Sequence, residues 1–310
     1  MVHPSGVRYR ASVTEEKRAR DGFAMALFAY GLWGLFPIYW KQIAEIPAVE
    51  VLAHRVLWSM VFVALIVIGQ RRLGRVVAVM RRPSSRRAML LSTSLVSVNW
   101  GVFIWAVSSG RVTEASLGYY INPLVNAALG RMVLGEELRP RQKVAIGLAA
   151  LAVGGLTLAQ GSLPWVSLVL AVSFGVYGLV RKKVDVGAVD GLAIETGLAS
   201  PVALAYLLTL EPSFGHLADP TPRNAVFLLG AGLATSLPLL AFAGAARRLR
   251  YTTLGMVQYL APTLQLACAV LLYDEPLSLE RGLAFLLIWI AIGTYVSDLA
   301  PRRKPSLEAP

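Results

Sequence analysis

Ten blocks of about 20 mainly apolar residues follow one another along this chain, and they limit its fold more than any other feature. They fall at about 22–41, 49–69, 88–108, 112–134, 143–160, 163–181, 189–210, 224–246, 251–273 and 279–299. A helix of about 20 residues rises about 30 Å, the thickness of the hydrocarbon core of a bilayer. In that solvent a backbone must satisfy its own hydrogen bonds, so the pattern predicts an all-α polytopic membrane protein with ten transmembrane helices. A soluble alternative fails for want of surface. Only 15% of the 310 residues are charged and 56% are hydrophobic, whereas soluble domains carry roughly a quarter charged residues.

The net charge of +12 would suit nucleic acid only on a basic face of a soluble domain, and the blocks leave no such domain. The basic residues instead divide by side. Twenty-five Lys and Arg lie in the terminal segments and alternate loops, while Lys41, Arg111, Arg223 and Arg281 lie in the other loops. That asymmetry predicts cytoplasmic N- and C-termini. Residues 1–20 and 301–310 read as cytosolic tails, the first basic and mobile, and the apolar block that follows residue 20 is longer than the h-region of a signal peptide. Arg55 belongs to neither side. The single cysteine, Cys268, reads as a packing residue.

The chain also repeats itself. AVEVLAHR (48–55) aligns with AVDGLAIE (188–195), with four identities and Glu50 over Asp190. A shift of 139 residues pairs Phe103 with Phe242, Tyr120 with Tyr259, Pro123 with Pro262 and Glu136 with Glu275. In the first helix of each half, Gly31, Trp33 and Gly34 lie over Gly175, Tyr177 and Gly178. The repeats are expected at 21–160 and 161–300 with five spans each, so the second starts on the opposite side of the membrane. Inverted repeats of this kind build alternating-access transporters around a midplane site.

NPLVNAALGRMVLGEELRPRQ (122–142) resembles the EamA-type half of the drug/metabolite transporter superfamily, with a second copy running from Ala261-Pro262 to Asp274-Glu275. HRVLWS (54–59), NWGVFIWAV (99–107), EASLGYYINPL (114–124) and RLRYTTLGMVQYLAPT (248–263) are similar to the RarD branch of that family. The resemblance implies ten helices, a bacterial inner-membrane location and gradient-driven transport of a small solute, without naming the solute. Asp274-Glu275-Pro276 departs from the Gly-Glu of the motif, and a different turn is expected there.

Polar groups inside the spans are the candidates for transport, since each is costly there. Arg55 lies about five residues into its span and either snorkels to the interface or serves the pathway. Glu195, its counterpart in the repeat, is shorter and reads as a proton-coupling or cation-binding carboxylate, with a bundle salt bridge as the alternative. The two are expected near opposite faces, as charged stations flanking a cavity. His54 reads as packed or as a proton relay, and Asn99 as glue between helices or as cavity lining beside Trp100. Tyr120, Asn122, Gln258 and Tyr259 gather around Pro123 and Pro262, whose freed carbonyls suggest helix breaks lining a cavity. Trp33, with Trp58, Trp105 and Tyr177, could wall an aromatic pocket. Glu136 and Glu275 read as caps of the helices that follow them.

Other classes fit poorly. No phosphate-binding G-x-x-x-x-G-K-[ST] loop occurs, and the three histidines are scattered, with no H-E-x-x-H or G-x-S-x-G. The expectation is a monomeric permease with no catalytic residues, cofactor or metal, whose partners are a small-molecule solute and the lipid bilayer. An uncoupled facilitator or channel is the alternative, and an enzyme the remote one.

Overall fold

The computed structural model describes residues 4–135, 137–218, 221–246, 248–249 and 257–297. The elements are helical, and no strand occurs among the described residues. In chain order they are α1 (Pro4–Lys41), α2 (Ala48–Gly69), α3 (Leu73–Arg81), α4 (Pro83–Ser108), α5 (Val112–Leu134) and α6 (Pro140–Gln160). The second half follows with α7 (Trp165–Lys183), α8 (Ala188–Thr209), a 3₁₀ turn (Gly215–Leu217), α9 (Pro222–Ala246), α10 (Leu260–Ala267) and α11 (Leu279–Ser297). Among the described residues, six helices contain stretches long and apolar enough to cross a membrane: Arg18–Lys41, Ala48–Gly69, Pro83–Ser108, Pro140–Ala159, Ala188–Thr209 and Pro222–Phe242.

The packing is inverted relative to a soluble protein. Leu65, Ile68, Leu151, Leu158 and Val202 are exposed, while Ser92, Asn99, Asn122, Glu195, Thr235 and Ser236 are buried. Apolar surface turned outward suits hydrocarbon, and polar groups turned inward find partners only in other helices. The helices of the first half pack chiefly on those of the second: α2 on α8 and α9, α1 on α9 and α10, α4 on α7 and α8, α5 on α7 and α10, and α6 on α11.

Three local features differ from the sequence reading. The arginine-rich connection after α2 contains the short helix α3, whose one-sided apolar residues (Leu73, Val76, Val77) were too few to stand out as a block. Pro123 does not break its helix, because α5 remains α-helical from Val112 to Leu134. Pro262 sits in the first turn of α10, where its missing N–H is unneeded; the interruption falls at Tyr259. The chain then leaves α10 through a π turn at Cys268–Leu272.

At Asp274 the left-handed conformation of the first copy is kept, while the approach to it differs, through a π turn instead of an unbroken α-helix. Asp274 has φ 48° and Gly135, its repeat counterpart, has φ 68°. Both take the left-handed conformation, which aspartate tolerates better than most residues. Glu275 caps a helix other than the one after it. Its carboxylate accepts the backbone N–H groups of Val112 and Thr113 and the Thr113 hydroxyl, all at 2.8 Å. It thus satisfies the first turn of α5, in the opposite half, where the partial positive charge of the helix favours an anion. Glu136 lies outside the described residues.

Candidate functional site

Helices α2 and α8 each begin with an acid, Glu50 and Asp190. Each then carries a buried ionisable residue five positions further on, Arg55 and Glu195. Arg55 is 3% exposed and points into the bundle. Its Nε donates to Thr235 Oγ1 of α9 at 2.8 Å. Three rings surround the guanidinium, with centroids 4.2 Å (Trp100), 5.2 Å (Trp40) and 5.9 Å (Phe36) from Cζ. Nη1 is buried with no hydrogen-bond partner, and among the described residues no carboxylate lies within ion-pair distance of Arg55. A cation over an aromatic face gains about 0.5–2 kcal/mol. Removing an ion from water costs several kcal/mol, so the rings offset only part of it.

Glu195 is 2% exposed and fully engaged. Ser92 of α4 donates to Oε1, Tyr177 of α7 donates to Oε2 at 3.4 Å, and Arg181 Nε stands 3.7 Å from Oε1. The guanidinium reaches this carboxylate by lying across the start of α8, where it also donates from Nη2 to the Gly187 carbonyl at 3.3 Å. Only glycine permits that path, since a Cβ on Gly191 would stand 2.0 Å from Arg181 Nη1. Arg72 extends the layer with an ion pair to Asp190 at 3.0 Å. Arg55 and Glu195 form no ion pair with each other.

His54 is wholly buried. Its Nε2 lies 3.3 Å from the Phe214 carbonyl and 4.0 Å from Glu50 Oε1, so Nε2 carries the proton given to the carbonyl. Glu50 in turn accepts from the His216 backbone N–H at 2.8 Å and approaches His216 Nδ1 at 3.0 Å. Asn99 is saturated: its amide donates to the Leu170 carbonyl at 3.1 Å and to Ser173 Oγ at 3.0 Å, and its oxygen accepts from Tyr119 at 3.1 Å. It joins α4, α5 and α7. Its neighbour Trp100 is the ring nearest Arg55.

The proline-flanking residues do come together. Tyr120 stacks on Tyr259 at 6.3 Å and shares a hydrogen bond with Thr263 at 2.6 Å. The Asn122 oxygen accepts from Asn126 at 3.2 Å and from Gln258 at 3.3 Å, and its amide donates to the Ala171 carbonyl at 2.9 Å. The Pro262 carbonyl accepts from Ser116 at 2.7 Å. The expected aromatic pocket is different from the observed one. Trp33 packs on Tyr30 and Phe242, Trp105 on Trp165, and Tyr177 on Phe174. The rings that gather are Phe36, Trp40 and Trp100, around Arg55. Trp40 and Phe36 gave no signal in sequence, because an aromatic near a helix end is ordinarily interfacial.

Comparison with known proteins agrees with this architecture. The EamA-like transporter family matches residues 21–158 and again 163–296. An uncharacterized transporter of Pseudomonas aeruginosa is 45% identical over 285 residues, covering 90% of this chain and 94% of its own. Protein RarD of Streptomyces exfoliatus is 42% identical over 298 residues, covering 95% of each chain. A protein crystal structure at 18% identity superposes with a TM-score of 0.60, covering 91% of this chain and 99% of the other, and speaks for the fold alone. With these matches spanning nearly its whole length, the chain belongs to the EamA-like transporter family, as a RarD-like multi-pass membrane permease.

Proposed function

We propose that the protein is a secondary active transporter that moves a small organic solute by alternating access, driven by a proton gradient or by exchange. It is built from ten spans in two inverted five-helix repeats, at 21–160 and 161–300, with both tails in the cytosol and no enzymatic activity. The observation that carries this reading is the equivalence of the two buried stations. Arg55 on α2 reaches Thr235 on α9, and Glu195 on α8 reaches Ser92 on α4. Exchanging the halves converts one helix pair into the other, with the two hydroxyls one helical turn apart in the repeat register (Ser92 lies over Ala231, and Thr235 over Val96). A shift of 141 residues further superposes Phe36 and Trp40, beside Arg55, on Tyr177 and Arg181, beside Glu195.

The same exchange relates the helix packing. The contact of α1 with α9 becomes that of α7 with α4, and the contact of α1 with α10 becomes that of α7 with α5. Close approaches follow: a Cβ on Gly34 would stand 2.7 Å from Leu264 of α10, and one on Gly175 would stand 2.9 Å from Val125 of α5. Gly34 and Gly175 are 141 apart, and Leu264 and Val125 are 139 apart. This moves the repeat register of α1 against α7 by three residues from the sequence alignment of Gly34 with Gly178. The double family match supports the same two-part reading. Two such halves can open alternately around their shared interface.

The four basic residues expected outside also support the orientation. Lys41 donates to the Val107 carbonyl, Arg111 and Arg281 pair with Glu114, and Arg223 pairs with Glu45. These contacts link the loops at one end of the bundle, whereas Arg72 and Arg181 form the ion layer at the other.

Counterflow in proteoliposomes tests the function, using amino acids, nucleosides, quaternary amines and amphenicols with and without a pH gradient. Accelerated exchange of at least one solute is expected. Failure with every solute counts against transport, and exchange that never becomes uphill accumulation indicates a facilitator. The Glu195→Gln variant is expected to lose gradient-driven accumulation while retaining exchange; unchanged accumulation removes Glu195 from coupling.

A further inference from the structure

We infer that the Arg55 cage is a binding site for the anionic group of an organic anion with an apolar body. Reading that anion as cargo rests on the transporter function above; the binding site itself does not.

The cation is enclosed on three sides by carbon. Phe36 and Trp40 come from α1 and Trp100 from α4, and α9 supplies one hydroxyl, from Thr235. This arrangement surrounds the guanidinium with rings and leaves Nη1, on its edge, without an acceptor, while Nε donates to Thr235. Arginine presents that edge as a fork matching a carboxylate or a phosphoryl oxygen pair. The neighbouring acids are committed elsewhere: Glu50 to His216, and Glu195 to Ser92, Tyr177 and Arg181. The protein therefore keeps a buried positive charge whose counter-ion it does not provide from the described residues. The equivalent position in the other half differs in this respect, since its charge is neutralised by an arginine of its own chain.

The body of the ligand follows from the surroundings. An open hollow of about 680 Å³ between α1 and α9, whose residues Leu35, Val226 and Leu233 are exposed, is lined on its inner side by Phe36, Tyr39 and Phe227. Phe36 is thus a wall of both the hollow and the cage. An amphipathic anion can place its apolar part against these rings and its charge at Arg55. A quaternary amine cannot, because its charge repels the guanidinium.

The test is thermal unfolding of the full purified chain in detergent at fixed ionic strength. The probes are sodium benzoate, sodium cyclohexanecarboxylate and phenyl phosphate, set against benzamide, benzylammonium chloride and sodium chloride. The anions with rings are expected to raise the melting temperature by about 5 °C at a hundredfold excess over Kd, and the other three to leave it unchanged. Arg55→Met is expected to melt no lower than the parent when empty and to lose the response, and Arg55→Lys to keep part of it. Equal shifts for benzoate and benzamide in the parent overturn the inference without any variant, as does a full benzoate response in Arg55→Met. Benzoate against phenyl phosphate separates carboxylate from phosphoryl ligands. Counterflow separates this inference from the function: exchange confined to neutral or cationic solutes overturns the anion site and leaves the transporter. Arg55-dependent benzoate binding with no exchange of any solute leaves the site and overturns the transporter.

Discussion

Arg55 and Glu195 stand at matching places in the two halves, both almost completely buried, yet their surroundings differ. Around Glu195 the chain supplies a hydroxyl, a phenol and a guanidinium, and it leaves Gly191 without a side chain so that the guanidinium can reach. Around Arg55 it supplies three rings and one hydroxyl. On one scaffold, the second half has become a closed polar lock and the first an open demand for an anion. The two stations hold matching sequence positions; the side chains at two positions of the preceding helix, Phe36 and Trp40 against Tyr177 and Arg181, decide whether the charge is answered from within.

The largest test of that difference is to delete the cation on each side. Arg181→Met strands a buried carboxylate and is expected to cost about 3–5 kcal/mol in thermal or denaturant unfolding. Arg55→Met removes a charge that has no partner and is expected to cost nothing or to stabilise the empty protein. Equal losses would erase the asymmetry. Next in size is Gly191→Ala, which pushes the Arg181 guanidinium off its path for about 1–3 kcal/mol. In an Arg181→Met background the same change is expected to be nearly silent, and a double-mutant cycle measures that coupling.

Smaller again is the pair of hydroxyls. Thr235→Val leaves Arg55 Nε without an acceptor and is expected to cost about 1–3 kcal/mol. Ser92→Ala costs less, about 1 kcal/mol, because Glu195 keeps Tyr177 and Arg181. The smallest effect concerns the two turns. Asp274→Gly is expected to stabilise by up to about 1 kcal/mol by relieving the left-handed aspartate, whereas Gly135→Asp is expected to destabilise by a similar amount. Melting temperatures of the two variants check the signs.

Much of the architecture was legible because a bilayer imposes a length on apolar segments. The blocks ending at Gly69, Ser108, Leu134 and Gln160 match helix ends, and the start at Leu279 matches as well. The nine-residue α3 was not legible, being too short for that signal. Glu275 was correctly read as a cap, but for the wrong helix: capping chemistry is visible in a side chain, whereas its target is set by which helix start folds against it. Pro123 suggested a break, yet α5 stays α-helical through it. At the candidate site, the burial of Arg55 and Glu195 was readable from their places inside apolar spans, and the clustering of Tyr120, Asn122, Gln258 and Tyr259 from the motif. The rings around Arg55 were not, since Phe36, Trp40 and Trp100 come from two helices separated by about 60 residues of chain.

The sequence by itself determined a helical membrane protein, its family, its two-part organisation and the identity of the buried charges, because these depend on segment length, composition and local repetition. Tertiary structure alone decided which charge is neutralised. Arg181 can serve Glu195 because its side chain lies across the glycine-bearing start of α8, and Arg55 lacks such a partner because α1 brings carbon to the corresponding place. Electrostatic cost falls on the distance between atoms rather than on their order along the chain, and those distances exist only once the helices have packed.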